Sequence, residues 1–127
     1  MFIIFKQKST AFLILILCSL SCAYFNTFYN AKQYFDEAEK IRLEKDGETI
    51  PITAMDKYGK TIKKCQTVLD DHPDSRFVID ATLLMSKARY YRSDYDLAIS
   101  GLKTIQSIGS NQQKEEATYW LALCKWK

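Results

Sequence analysis

The chain has 127 residues and a net charge of +3, with 18 lysine and arginine residues against 15 aspartate and glutamate residues. This length suits one small domain, and the nearly balanced charge, with no basic stripe, argues against a nucleic-acid-binding protein. Only four glycines and two prolines occur, and no segment alternates strictly between apolar and polar residues. The composition therefore favours an all-α fold.

The N-terminal segment has the order of an export signal. Lys6 and Lys8 precede the apolar run Ala11–Leu20, which is too short to cross the ~30 Å hydrocarbon core of a bilayer as a helix. A small residue and then Cys22 close the run, as in the bacterial lipoprotein signals that this segment resembles. We therefore predict a signal peptide over residues 1–21 and a lipid on Cys22. Conventional cleavage and an uncleaved anchor remain as alternatives.

Two amphipathic helices are predicted next in the chain. The first covers residues 26–45, where apolar residues step by three or four positions and share one face. Gly47 and Pro51 end this helix. The second covers residues 53–71 and stops before Pro73, because a residue that precedes proline is pushed away from the α region.

Three shorter helices are predicted in the remainder. The third begins at Asp74 or Ser75, either of which can cap a helix, and ends near residue 92. The fourth covers residues 95–108 and is closed by the glycine that follows it. The fifth begins at Ser110 or Asn111 and runs to the last residue, with a glutamine three residues past Ser110 in capping-box spacing.

An internal repeat relates these helices. Tyr58–Ile62 aligns with Tyr95–Ile99 at a shift of 37 residues. Ala81–Ser86 aligns with Ala117–Ala122 at a shift of 36 residues. A two-helix unit with this period predicts stacked α-hairpins, each of which buries its apolar face against the next.

The repeat resembles the tetratricopeptide repeat. Residues 93–99, Ser-Asp-Tyr-Asp-Leu-Ala-Ile, are similar to the G-D-Y-x-x-A-I opening of that family's second helix, with serine where glycine is usual. The resemblance implies tetratricopeptide-like antiparallel hairpins in a short right-handed solenoid over residues 51–127, after an aromatic-rich helix over residues 22–50. The residues that it implies for packing between helices are Thr61, Cys65, Val68, Pro73, Met85, Ser86, Tyr95, Ala98, Leu102 and Ile105.

A narrower resemblance concerns the loop between the units. Val68–Ser75, followed by Ala81 and then Asp94–Asp96, is similar to the long-period repeats of the outer-membrane assembly lipoprotein BamD family. This similarity covers about residues 53–127. In this chain aromatic residues follow Cys22 at once, where that family has a polar tether.

The family resemblance carries the functional expectation. It implies a lipid-anchored scaffold on the periplasmic face of a bacterial outer membrane, with the β-barrel assembly machine as its protein partner. Ala23 follows the lipid cysteine, where an aspartate would indicate inner-membrane retention in some bacteria. A periplasmic scaffold for cell-division or peptidoglycan complexes and a soluble ligand-binding component are the alternatives.

The sequence predicts a binding protein and no enzyme. It contains no glycine-rich phosphate loop, no CxxC pair and no nucleophile with a histidine partner, so we expect no catalytic site, metal, cofactor or small-molecule substrate. Residues 70–74, with three aspartates and the one histidine, are interpreted as a polar turn and not as a metal site. Tyr90, Tyr91 and Arg92 are candidates for a partner groove, although tyrosines at such places also pack between helices.

Two features of the C-terminal half complete the prediction. No helix is expected to cover four apolar residues of the fifth helix, which are Trp120, Leu121, Leu123 and Trp126. The array therefore either continues in a longer protein, as we expect, or pairs with another subunit, or exposes an apolar patch. Cys65 and Cys124 are expected to be small buried residues, since two cysteines make no disulfide framework.

Overall fold

A computed structural model shows five α-helices joined by short loops. It describes the backbone of residues 2–127 and the side chains of Thr10, Phe12, Ile14 and residues 25–127. The helices are α1 (Phe2–Glu44), α2 (Ile52–Asp71), α3 (Val78–Tyr91), α4 (Tyr95–Ile108) and α5 (Asn111–Trp126). Residues 2–127 contain no strand, which confirms the all-α class.

Helix α1 differs from its prediction, because it is continuous from Phe2 and does not begin at residue 26. Its sequence contains neither glycine nor proline, so nothing interrupts the backbone hydrogen bonds between the apolar run and the aromatic segment. The predicted acylation concerns the side chain of Cys22, which lies outside the described side chains. Among the described residues, no helix has both the length and the apolar character needed to span a membrane.

Helix α3 begins at Val78, later than the predicted start at Asp74 or Ser75. Ser75 caps a separate turn: its hydroxyl accepts a hydrogen bond from the Phe77 amide at 3.1 Å, and its own amide donates to the carbonyl of His72 at 2.9 Å. Pro73 is exposed in this turn. Its contribution is to end α2 and not to pack between helices, which corrects the role implied for it.

The ends of α4 and α5 confirm the local signals. The Gly109 amide donates to the carbonyl of Ile105 at 2.7 Å and closes α4. Ser110 and Gln113 form the capping box, since the Gln113 amide donates to the Ser110 hydroxyl and the Ser110 amide donates to the Gln113 side chain. These two donors would otherwise lack a partner at the start of the helix.

Consecutive helices pack antiparallel, and the odd-numbered helices form one layer. α1 contacts α3 and α3 contacts α5, whereas no contact joins α2 to α4 within the described part of the chain. Along α1 and α3 the paired positions ascend together, from Phe28 beside Phe77 to Arg42 over Tyr91, so these two helices run parallel. The odd-numbered helices thus approach one another and the even-numbered helices do not; because a cavity lies on the odd-numbered side, we refer to that side as the concave side.

The core lies between the helices in three neighbouring clusters. Of the ten packing positions implied by the resemblance, eight are buried, Tyr95 is half-buried and Pro73 is exposed. Cys65 and Cys124 are buried free thiols.

The C-terminal helix corrects another prediction. Trp120 and Leu121 were expected to lack cover, yet they are only 8% and 6% exposed, because α5 packs against both α3 and α4. Leu123 is half-buried and Trp126 is 89% exposed. The exposed apolar surface of α5 is therefore smaller than predicted and lies on its outward side.

Candidate functional site

The structure places Tyr90, Tyr91 and Arg92 between helices. The Tyr91 ring stacks on the Tyr58 ring with centroids 4.9 Å apart. Tyr90 makes an edge contact with Trp120 at 5.3 Å. The Arg92 guanidinium donates to the backbone carbonyl of Met55 at 2.7 Å and so ties the end of α3 to the start of α2.

These three residues do not line the concave side. Tyr90 and Tyr91 border a cavity of about 110 Å³ at the end of the array where the α1–α2 loop meets the start of α4. Glu48, Ile50 and Tyr95 also line it. This cavity is smaller than typical small-molecule binding sites, whose volumes start at roughly 300 Å³. Packing, the alternative considered for these residues, accounts for their contacts.

A half-buried ionic cluster lies against the ring of Tyr91. Arg42 donates two hydrogen bonds to the Glu39 carboxylate, at 2.7 and 3.2 Å, and the hydroxyl of Tyr58 donates to the same carboxylate. The Arg42 guanidinium lies over the Tyr91 ring, 4.7 Å from its centroid. The cluster joins α1, α2 and α3 at one point.

The charge state of Glu39 follows from two opposing effects. Burial by itself would raise the pKa of this carboxyl group, but hydrogen bonds from Arg42 and Tyr58 outweigh burial and hold the pKa below its ordinary value. Burial and the neighbouring carboxylate raise the pKa of Tyr58 well above its ordinary value. At neutral pH the cluster is therefore an ion pair with a neutral phenol.

Acid should weaken this cluster. Because the pKa of Glu39 is lower in the folded chain than in the unfolded chain, its contribution to stability is complete above the ordinary pKa of about 4.3 and is lost as the pH falls through the folded value. We expect Glu39→Gln to flatten the fall of the free energy of unfolding below about pH 4.3, measured by urea titrations at several pH values. An unchanged acid limb in the variant would contradict this assignment.

The concave side holds the larger cavity, of about 220 Å³, formed by the three odd-numbered helices. Phe28, Leu83 and Leu84 give it an apolar lining. Its charged residues, two of each sign, are Lys32, Asp80, Lys87 and Glu116. We refer to these seven residues as the groove.

Three of the four charged side chains of the groove, those of Asp80, Lys87 and Glu116, are held in place by neighbours. The Lys87 ammonium donates to Glu116 at 3.0 Å and lies over the Phe35 and Trp120 rings, at 5.3 and 5.5 Å from their centroids. The Gln113 amide donates to Asp80 at 2.6 Å. The groove is thus an apolar lining within fixed charges of both signs, and its volume suits one or two side chains of a polypeptide better than a cofactor.

The remaining reactive groups are isolated. No group of three or more His, Cys, Asp or Glu side chains that could hold a metal ion occurs among the described residues. Burial raises the pKa of the Cys65 thiol to about 12, so this sulfur stays protonated at neutral pH.

Comparison of the chain with models of known protein families, with curated proteins and with solved structures finds no match. Sequence reasoning did not pick out the residues of the groove. The signal that could have found them is the predicted internal repeat, because stacked repeats present a concave surface. The residues that line the groove lie on α1, α3 and α5.

Proposed function

We propose that this protein is a scaffold of helical hairpins that binds a segment of a partner protein in the groove. The observation that carries the proposal is the groove itself, in which three helices supply an apolar lining and fixed charges of both signs. Apolar contact provides affinity for a bound side chain, and oriented charges select the polarity and register of the segment.

The packing supports a tetratricopeptide-like array. Hairpin repeats bury each unit against the next and present an extended concave surface. The parallel layer of α1, α3 and α5, with α2 and α4 apart from one another, agrees with that arrangement. The buried small residues Ala98 and Ser86 lie where the resemblance implies a close approach of two helices.

We further propose that a lipid on Cys22 holds the scaffold at a membrane. Three residues later, Phe25 is 53% exposed, and its ring stacks on the half-exposed Tyr29 ring with centroids 6.3 Å apart. The ring centroids of Phe77 and Phe25 lie 6.0 Å apart, and the Arg76 guanidinium lies 4.8 Å from the centroid of the Phe77 ring. Aromatic rings and arginine suit a lipid–water interface, because each has an apolar body that can be buried and Arg and Tyr also have a polar tip that can stay wet.

Within this class, the proposed role is in outer-membrane protein assembly, at the periplasmic face of a bacterial outer membrane. The resemblance in the α2–α3 turn and the signal-like segment with its cysteine support it. The partner would be the β-barrel assembly machine or one of its client segments, bound in the groove.

Site-specific crosslinking in the native host tests the groove. A photo-crosslinking amino acid at Lys32, on the groove, should capture a partner polypeptide, whereas the same group at Lys103, exposed on α4, should not. Mass spectrometry of the Lys32 product identifies the partner. Recovery of an outer-membrane barrel insertase would support the role in outer-membrane protein assembly. Recovery of division or cell-wall proteins would contradict that role and favour a scaffold for cell-division or peptidoglycan complexes. Equal capture from both positions would contradict a groove-specific role.

The lipid anchor has a separate test. Cys22→Ser should move the protein from the membrane fraction to the soluble fraction, because the serine oxygen is not a substrate for thioether attachment of a lipid. Cys65→Ser, at a buried thiol, is the matched control and should leave the protein in the membrane fraction. Membrane retention of the Cys22→Ser variant would contradict the lipid anchor.

A further inference from the structure

Two exposed aromatic rings lie on α1 shortly after Cys22. Phe25 is 53% exposed and Tyr29 is 51% exposed, and their rings stack with centroids 6.3 Å apart. Positions four residues apart share one face of a helix, so both rings lie on the same side of α1. Phe28, in contrast, packs against a core cluster. The fold therefore leaves this pair of rings uncovered.

The α2–α3 turn extends the exposed surface. The Phe77 ring lies 6.0 Å from the Phe25 ring and 5.1 Å from the Phe28 ring, measured between centroids. Arg76 is exposed and its guanidinium covers the Phe77 ring, without an ion pair to any described residue. We refer to Phe25, Tyr29, Arg76 and Phe77 as the aromatic patch.

The aromatic patch lies close to the proposed lipid. At a rise of about 1.5 Å per residue, Phe25 lies about 4.5 Å beyond Cys22 along the axis of α1, and Tyr29 lies about 10 Å beyond it. Phe77 stands beside Phe25, so the α2–α3 turn lies at the same level. A lipid on Cys22 would therefore bring residues of two separate helices to the bilayer surface together.

The chemistry of the aromatic patch suits the interface of a bilayer. Apolar rings can enter the boundary between headgroups and acyl chains, while a tyrosine hydroxyl and a guanidinium stay among the headgroups. The planar guanidinium also matches the geometry of phosphate, which phospholipid headgroups supply. Each member of the patch thus has a favourable place at one depth of the membrane.

The charges beside the aromatic patch indicate the kind of lipid surface that it fits. Asp70, Asp71 and Asp74 are exposed at the end of α2 and in the turn that carries Arg76. Three carboxylates against one guanidinium give the turn an acidic balance, so attraction to anionic lipid does not add to the affinity. The rings must supply the affinity, and the matching surface is zwitterionic.

We propose that the aromatic patch is a second membrane contact, in which its three rings enter the interface of a zwitterionic phospholipid bilayer and its guanidinium binds headgroup phosphates. This inference rests on the proposed lipid anchor at Cys22, which makes the first contact. Two contacts fix the orientation of the array, whereas a lipid alone leaves it free to turn. They also hold the groove beside the bilayer, because Phe28 lines the groove and stacks on Phe77.

Quenching of tryptophan fluorescence by brominated lipid tests the proposal, with the intact protein in phosphatidylcholine vesicles. Tyr29→Trp and Phe77→Trp should each add emission that is quenched and lies at shorter wavelength, at a depth of about 5–10 Å into the boundary of headgroups and acyl chains. Leu43→Trp, at a residue 63% exposed near the other end of α1, is the matched control and should add unquenched emission. The native Trp120 and Trp126 lie beside the far end of α3 and supply an unquenched background.

A further variant separates the aromatic patch from the tether. In the chain with Phe77→Trp, replacing both Phe25 and Tyr29 with serine removes two rings and keeps the lipid on Cys22. The protein should stay on the vesicles, while the tryptophan in the turn loses most of its quenching. Leu97→Ser, at a residue 55% exposed on α4, should leave the quenching unchanged. Circular dichroism checks the fold, and Tyr29→Trp changes only an exposed ring if Phe77→Trp does not fold.

Four results would overturn the proposal. These are no quenching at either tryptophan in the vesicle-bound protein, equal quenching of Leu43→Trp, quenching that survives the loss of the rings, and quenching that requires anionic lipid and is abolished by salt. A photo-crosslinking amino acid at Tyr29 that captures protein and no lipid in the native host would assign the patch to a protein partner instead. Failure of the lipid anchor is distinguished from these results, because fractionation of Cys22→Ser reports it without any added tryptophan.

Discussion

Replacing Tyr58 with alanine is expected to lower the free energy of unfolding by about 3–5 kcal/mol. The Tyr58 side chain is fully buried, and its ring packs against Phe35 and Tyr91 at centroid distances of 5.6 and 4.9 Å. Its hydroxyl donates to Glu39. Truncation opens a cavity where three helices meet and removes a donor from a half-buried carboxylate, and urea denaturation measures both losses together.

Two further variants separate those losses. Tyr58→Phe keeps the ring and removes only the hydroxyl donor to the carboxylate, so it should cost about 1.5–3 kcal/mol. Tyr29→Ala, at a half-exposed ring of α1, should change the free energy of unfolding by less than the loss for Tyr58→Phe. A loss below about 1 kcal/mol for Tyr58→Ala would mean that the three helices do not meet at this ring.

Gly101→Leu is expected to destabilise the chain by about 1–3 kcal/mol, in spite of the better helix propensity of leucine. Even a β-carbon at this position would lie 2.4 Å from the hydroxyl oxygen of Ser86. The larger side chain must therefore push α3 and α4 apart or leave its preferred rotamer. Thermal and urea unfolding, followed by circular dichroism, measure the change.

The neighbouring position provides the control. Ser100 is exposed on α4, and Ser100→Leu should change stability by about 0.5 kcal/mol or less. In a Gly101→Ala variant, the second substitution Ser86→Ala should restore part of the stability that the alanine at position 101 removes. It does so because it removes the Ser86 hydroxyl oxygen, the atom nearest to the new β-carbon. Equal effects of leucine at positions 100 and 101 would contradict the close approach of the two helices.

Local signals predicted most helix ends but not the starts of α1 and α3. The α4 and α5 boundaries depend on Gly109 and on the Ser110 capping box, which act within a few residues. Ser75 has the same capping chemistry, yet it satisfies a turn that precedes α3. A single sequence does not distinguish a serine that caps a helix from one that caps a turn.

The candidate site depended on tertiary geometry that composition does not reveal. Tyr91 is a reasonable groove candidate from its place in a repeat, but it contacts four neighbouring aromatic rings and Arg42 between the helices. Lys32 and Lys87 line one cavity because α1 packs against α3. The repeat predicted which residues are buried, and the layer order decided which residues face the groove.

The order of contacts along this array bears on how the chain folds. Among the described residues, each helix packs only on its sequence neighbours or on the next helix but one, so most contacts join helices that are adjacent in the sequence. Chains with such local contacts fold quickly, because little loop entropy is lost before contacts form. Their cooperativity is also limited, since each unit is stabilised only by adjacent units. Hydrogen exchange should therefore be slowest in α3, which contacts all four other helices.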